Sequence, residues 1–138
     1  MPESNLEAQS TPSGQSVGSE RSLQLAVAAA QTAELHRGRD IVVLDLRQLT
    51  AIVDYFVIVT GTSRRQLRAL AEEIDSKLQK GLGDRRLGME GFTESQWILL
   101  DYGNIVVHLF DEETRSYFAL ESLWGEGRRV AWESYAPV

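Results

Sequence analysis

The chain has 138 residues with a formal net charge of −6 at pH 7, and 43% of its residues are hydrophobic. This length and composition are typical of one globular domain with its own core. The absence of cysteine excludes a disulfide framework, a thiolate zinc site and a cysteine nucleophile. The net negative charge does not favour nonspecific binding to the phosphates of DNA or RNA, which needs clustered Lys and Arg. It favours a basic protein surface or a neutral small molecule as partner.

Residues 1–20 are rich in Ser, Gln, Pro and Gly, a composition that predicts a disordered N-terminal tail because it cannot bury enough apolar surface to fold. The segment lacks the apolar core of a secretory signal, and its glutamates are not typical of an organellar transit peptide. No run approaches the roughly 18 apolar residues of a membrane helix. We therefore expect a cytoplasmic protein without membrane contact.

Residues 21–125 are predicted to form a single domain, followed by a C-terminal tail at 126–138. A helix is expected over about Glu20–Arg37, and the β-branched runs Ile41–Leu46 and Tyr55–Thr60 predict two strands. Ser63 is expected to cap the next helix, with Gln66 completing a capping box. The apolar stripe of this helix consists of Leu67, Leu70, Ala71, Ile74 and Leu78.

The second half of the chain is organised around a predicted β-hairpin. Its strands are Trp97–Leu100 and Ile105–Phe110, joined by a turn that contains Gly103 and Asn104. A glycine-rich loop with a short strand at Leu87–Glu90 precedes it. A last helix follows, capped by Asp111 and carrying a stripe of Tyr117, Leu120 and Trp124. This order of elements predicts an α/β (α+β layered) fold, a mixed sheet of about five strands with helices packed on it.

The turn from strand to helix at Ser63, Arg64 and Arg65 has two interpretations. A helix N-terminus beside two arginines could contact an anion, whereas a capped helix with two solvated arginines explains the same residues. An alternative function, a metal-dependent nucleotidyltransferase, would hold a triphosphate here, but it needs clustered carboxylates for Mg²⁺ after the turn. The sequence supplies arginines instead, and it predicts no metal site and no catalytic residue.

Trp97, Asp101 and Tyr102 lie on or beside the first hairpin strand, where alternation places Trp97, Leu99 and Asp101 on one side and Tyr102 on the other. Aromatic side chains with a carboxylate are typical of an interface hot spot, but core aromatics and a turn aspartate explain them equally well. His108 lies in the middle of the second strand, where a neutral histidine hydrogen-bonded within the fold is expected rather than a catalytic base.

An ordered set of segments over about Leu25–Trp124 resembles the ribosomal silencing factor family, also called Iojap-like. The segments are Asp45–Arg47, Asp54–Ile58, Thr60–Gln66, Glu90–Gly91, Trp97–Gly103, Val106–His108 and Leu120–Trp124. The resemblance implies a nucleotidyltransferase-like fold that has lost its catalytic carboxylates, and hence no enzyme and no cofactor.

The resemblance also implies a partner and a mechanism. The family binds the large ribosomal subunit through its protein fourteen and sterically blocks joining of the small subunit, which represses translation when nutrients are scarce. Homodimers are common in the family. Carried onto this chain, the contact surface falls on the hairpin at Trp97, Leu99, Asp101, Tyr102, Gly103 and Asn104. Asn104 stands where the family usually has Asp, so one negative charge is missing from this expected surface.

Overall fold

The computed structural model describes residues 13–118 and 127–138, which build a mixed β-sheet with the two longer helices on one face. The helices are α1 (Ser13–Leu35), α2 (Arg64–Ser76) and α3 (Glu112–Phe118). A π-helical turn at Lys77–Gly81 extends α2, and a 3₁₀ turn covers Trp132–Ser134. The strands are β1 (Arg39–Asp45), β2 (Tyr55–Gly61), β3 (Gly88–Glu90), β4 (Trp97–Asp101), β5 (Ile105–Asp111) and β6 (Arg128–Arg129).

The sheet has six strands in the order β3-β4-β5-β2-β1-β6. Among the strands of the described residues, only β2 and β5 run parallel to each other, and all other neighbouring strands are antiparallel. The predicted layered fold with a mixed sheet is confirmed, as is the hairpin of β4 and β5. The strand beyond the expected five is β6, whose two arginines carry no strand signal of their own.

Helices α1 and α2 cover one face of the sheet and form the main core with it. The predicted stripe of α2 is confirmed, because Leu67, Leu70, Ala71, Ile74 and Leu78 are all buried. In α1 the whole run Leu25–Ala30 is buried. Small alanine side chains let this helix pack between the sheet, α2 and the C-terminal segment, rather than bury a single stripe.

The first helix begins at Ser13 and not near Glu20, so residues 13–20 are helical where a disordered tail was predicted. Once a helix has nucleated, each further residue adds one hydrogen bond without needing an apolar contact. The apolar spacing used for the prediction could not mark such an extension. Residues 1–12 of the predicted tail lie outside the described residues.

The C-terminal segment packs on the domain, although the sequence predicted only a tail there. Its Trp132 side chain is 5% exposed, and the indole Nε1 donates to the carbonyl oxygen of Ile41 at 3.3 Å. At the end of the segment, the backbone nitrogen of Val138 donates to the side chain of Gln31 at 3.0 Å. Residues 127–138 therefore belong to the folded domain.

The start of the last helix matches its prediction. Asp111 Oδ1 accepts a hydrogen bond from the backbone nitrogen of Thr114 at 2.7 Å, so Asp111 caps α3. Leu120 and Trp124 of the predicted stripe lie outside the described residues. No described helix is both long enough and apolar enough to cross a membrane.

Candidate functional site

The sheet face opposite α1 and α2 carries an aromatic cluster that includes the expected contact residue Trp97. Side chains alternate along a strand, and the register places Trp97 beside Phe110, Leu99 beside His108, and Asp101 beside Val106. Phe56 of β2 lies beside Val106 on its other side. We call this set of side chains the Trp97 face: Phe56, Trp97, Leu99, Asp101, Val106, His108 and Phe110.

Trp97 is half-buried and is held by two described neighbours on this face. Its indole Nε1 donates to His108 Nδ1 at 3.1 Å. Its ring centroid lies 4.8 Å from that of Phe110, with the two planes 39° apart. These contacts give the indole a defined orientation on the face.

The loop before β4 fixes the backbone of Trp97. Gly91 has a φ of +80°, and a Cβ at this position would lie 2.0 Å from the carbonyl oxygen of Trp97, so only glycine fits. The backbone nitrogen of Ser95 closes the loop by donating to the Gly91 carbonyl at 2.8 Å. At the next residue, the Gln96 carbonyl accepts from the backbone nitrogen of Asp111 at 3.1 Å.

His108 is a neutral, buried histidine, as the sequence predicted. Its side chain is 4% exposed, and burial lowers the pKa of the imidazole to about 4. Because Nδ1 accepts the Trp97 hydrogen bond, the single proton of the neutral ring resides on Nε2. Nε2 has no hydrogen-bond partner within the part of the chain that is described.

The turn residues of the hairpin lie at the end of the Trp97 face. Asp101 is half-buried, and its Oδ1 accepts from the backbone nitrogen of Gly103 at 2.8 Å. Gly103 has a φ of +89°, which favours glycine. Asn104 is exposed, and its carbonyl accepts from the backbone nitrogen of Asp54 at 2.8 Å. The structure thus brings Trp97, Leu99 and Asp101 onto one face, with Gly103 and Asn104 at its border.

Tyr102 lies on the other face of the sheet from Trp97, as the alternation predicts. It is 6% exposed and belongs to the core cluster on the helix-covered face. Its hydroxyl donates to Asp75 Oδ1 at 2.7 Å, and Asp75 also pairs with Arg86 at 2.8 Å. Burial, followed by the Asp75 hydrogen bond, raises the pKa of the Tyr102 hydroxyl. Its position gives no support to a role as a partner contact.

Phe56 and Val106 are the members of the face that the sequence reasoning missed. Both are half-buried, and each lies in a strand whose inward neighbours are fully buried. The signal was present in the alternation along the two strands. That signal identifies the face only when the strand order β4-β5-β2 is known, because this order places Val106 beside Asp101 and Phe56 beside Val106.

The N-terminus of α2 is capped as predicted. Ser63 Oγ accepts from the backbone nitrogen of Gln66 at 3.0 Å. The Gln66 side chain bonds one residue before its predicted partner: it accepts from the backbone nitrogen of Thr62 at 2.6 Å, whereas a capping box would use that of Ser63. Arg64 and Arg65 are exposed. An anion contact at Ser63, Arg64 and Arg65 stays a prediction, because the cap explains Ser63 and Gln66 fully.

The described residues contain no group of three or more His, Asp or Glu side chains that could hold a metal ion. Asp45 and Asp101 are both engaged locally, Asp101 with the backbone nitrogen of Gly103. Asp45 pairs with Arg47 at 2.7 Å, and this hydrogen bond lowers the pKa of the Asp45 carboxyl. What the Trp97 face presents chemically is a set of aromatic, aliphatic and carboxylate groups.

Comparison with known proteins shows which family the chain resembles. The family described as "Ribosomal silencing factor during starvation" matches residues 19–137. A ribosomal silencing factor from Bacillus subtilis is 41% identical over 71% of this chain and 82% of its own length. A mouse protein named "Mitochondrial assembly of ribosomal large subunit protein 1" is 38% identical over 62% of this chain and 39% of its own length.

A solved structure supports the same relationship. A crystal structure of a Chromobacterium violaceum protein superimposes with a TM-score of 0.72 at 32% identity, covering 84% of this chain and 94% of that one. The family match spans both the hairpin that carries Trp97 and the C-terminal segment that packs on α1. The chain therefore belongs to the ribosomal silencing factor family.

Proposed function

We propose that this protein binds the large ribosomal subunit through protein fourteen of that subunit and sterically blocks joining of the small subunit. By this route it would repress translation under nutrient limitation, in the cytoplasm. Family membership and the name of the mouse relative support a ribosomal role. The single observation that carries the contact surface is the Trp97 face, where half-buried aromatic and aliphatic side chains lie beside a carboxylate.

The composition of this face suits a specific protein partner. Tryptophan is among the residues that contribute most at protein interfaces, above all when it fills a pocket at the centre. Leu99 and Val106 supply apolar area around it, and Asp101 supplies charge. Glu90 lies opposite Leu99 in the β3–β4 pairing and adds a second, exposed carboxylate at the border. An apolar centre with an acidic border is complementary to a basic protein.

Binding alone accounts for the proposed effect. A specific interface requires roughly 800 Å² from each partner, and a sheet face with the adjoining hairpin turn can supply it. A bound domain then occupies the surface that the small subunit needs. No bond is made or broken, so we propose a non-enzymatic blocker. A homodimer remains a further prediction.

The test compares Trp97→Ala with the wild-type chain in co-sedimentation with purified large subunits. We expect the variant to bind at least about tenfold more weakly, since truncation of a central interface tryptophan costs roughly 2 kcal/mol or more. Inhibition of subunit joining, measured by light scattering without added nucleotide, should fall in parallel. Circular dichroism verifies that the variant is folded.

Leu35→Ala is the matched control, because Leu35 is an apolar side chain that is 78% exposed at the end of α1, on the helix-covered side. It should bind like the wild-type chain. If the folded Trp97→Ala variant also bound and blocked joining like the wild-type chain, the Trp97 face would not be the contact surface.

A further inference from the structure

We propose that His108 is a positioning residue for partner binding, which fixes the indole of Trp97 in the orientation that meets the partner. This inference rests on the proposed function, since it assigns a role within the same face. Trp97 lies diagonally across the β4–β5 pair from His108, because its direct neighbour is Phe110. Aromatic side chains can reach such diagonal positions, and here the indole Nε1 reaches His108 Nδ1 at 3.1 Å.

The hydrogen bond determines which edge of the indole faces the sheet. A tryptophan side chain has a single donor, its Nε1–H, and directing that donor at Nδ1 restricts rotation of the ring. The opposite edge is then presented away from His108. Ordering a side chain before binding reduces the entropy lost when the complex forms.

His108 can hold the indole only if its own ring is fixed, and the structure shows that it is. Its plane lies within 6° of the Phe110 ring at a centroid distance of 6.1 Å. The Phe56 ring contacts it edge-on, with centroids 4.6 Å apart and planes at 72°. The imidazole therefore contacts the Phe56 ring edge-on and lies parallel to the Phe110 ring, with its acceptor nitrogen directed at Trp97.

A histidine at this position is costly for folding. Its strand neighbours on the same face are Val106 and Phe110, so an apolar side chain would fit the pattern. Within the described ranges 13–118 and 127–138, Nε2 is buried without a hydrogen-bond partner, which is unfavourable. A local cost of this kind is expected at functional sites. The bond to Trp97 is the feature that an apolar residue could not supply.

Three substitutions separate the positioning role from packing. His108→Phe keeps an aromatic ring and removes the acceptor. His108→Asn places its Oδ1 as many bonds from the backbone as Nδ1, so it can still accept from Trp97. His108→Gln places its oxygen one bond farther from the backbone, as far as Nε2. It is therefore the matched control, a side-chain amide whose oxygen is not at the Nδ1 position.

We expect the Phe and Gln variants to bind large subunits roughly 3- to 10-fold more weakly, the gain that ordering one large side chain contributes. The Asn variant should recover most of the affinity. In ¹H–¹⁵N spectra, the indole N–H resonance of Trp97 should shift, and its hydrogen exchange should accelerate, in the Phe and Gln variants only. Wild-type affinity of the Phe variant, or weaker binding with an unchanged indole resonance, would overturn the inference.

The Trp97→Phe background distinguishes failure of this inference from failure of the proposed function. Phe has no N–H to donate, so adding His108→Phe to Trp97→Phe should cause no further loss of affinity. A further loss would mean that His108 acts without Trp97.

If Trp97→Ala weakens binding while His108→Phe does not, the proposed function stands and the positioning role fails. If the indole resonance moves but no variant, Trp97→Ala included, changes the affinity for large subunits, the proposed contact surface itself fails.

Discussion

At the scale of single residues, Trp97 and Tyr102 lie at opposite ends of β4 and on opposite faces of the sheet. Tyr102 is buried with its hydroxyl on Asp75, so Tyr102→Phe should remove a stabilising hydrogen bond and leave the Trp97 face intact. We expect the free energy of unfolding to fall by about 1.5–3 kcal/mol, the range for a hydrogen bond to a charged group. Urea denaturation measures this loss, and large-subunit affinity should stay at the wild-type value.

Tyr135→Phe is the control for the loss of a tyrosine hydroxyl, because Tyr135 is 43% exposed. Its effect on unfolding should stay within about 0.5 kcal/mol. Weaker subunit binding by Tyr102→Phe at wild-type stability would instead show that a partner contact extends to the helix-covered side.

At the scale of elements, the C-terminal segment behaves as part of the core. Trp132 fills a buried position beside α1, and strand β6 adds Arg128 and Arg129 to the edge of β1. Trp132→Ala should lower the free energy of unfolding by roughly 3–5 kcal/mol, as expected for a large aromatic removed from a core. Thermal or urea unfolding measures the change.

Two neighbouring substitutions sharpen this result. Trp132→Phe keeps most of the buried area and loses only the bond to Ile41, so its cost should be clearly smaller than that of alanine. Glu133→Ala, at the adjacent exposed position, should be close to neutral. A Trp132→Ala variant that unfolds at the wild-type midpoint would mean that Trp132 does not stabilise the fold.

The elements that the sequence predicted are those in which apolar side chains recur at a regular spacing. The β4–β5 hairpin and α2 show alternation and helical spacing, and Ser63 and Asp111 mark helix starts by their capping chemistry. Strand β6 has two charged residues and forms because β1 offers an unpaired edge, which no local pattern reveals.

The candidate site was predictable to a similar extent. Trp97, Leu99 and Asp101 were expected on one side from alternation alone. The Trp97–His108 bond depends on a diagonal contact across β4 and β5, so it follows only from the register of the pair. The burial of Tyr102 depends on where Asp75 of α2 lies, and sequence spacing does not specify that position.

At the scale of the whole molecule, the net charge influences the rate at which the chain encounters a charged partner. The net charge of −6 produces a long-range attraction to a basic surface, which raises the rate of encounter more than it raises affinity. Glu90 and Asp101 place part of that charge at the proposed contact. The exposed Arg64 and Arg65 oppose it locally at the start of α2, on the other face of the sheet.

This charge predicts how salt affects binding to the large subunit. If the contact is a basic protein, the association rate constant should fall several-fold as ionic strength rises from about 0.05 to 0.5 M, because the Debye length shortens below the distance over which the charges attract. The dissociation rate should change little. Stopped-flow fluorescence of a labelled chain with purified large subunits measures both rates.

The double variant Glu90→Gln/Asp101→Asn should reduce the dependence of the association rate on salt, whereas Glu133→Gln, a carboxylate of the C-terminal segment, should reduce it less. An acidic chain that docked mainly on ribosomal RNA would be repelled by the phosphates. Salt would screen that repulsion, and the association rate would rise with ionic strength. The sign of the salt effect therefore shows whether attraction to a basic protein or repulsion by ribosomal RNA dominates the encounter.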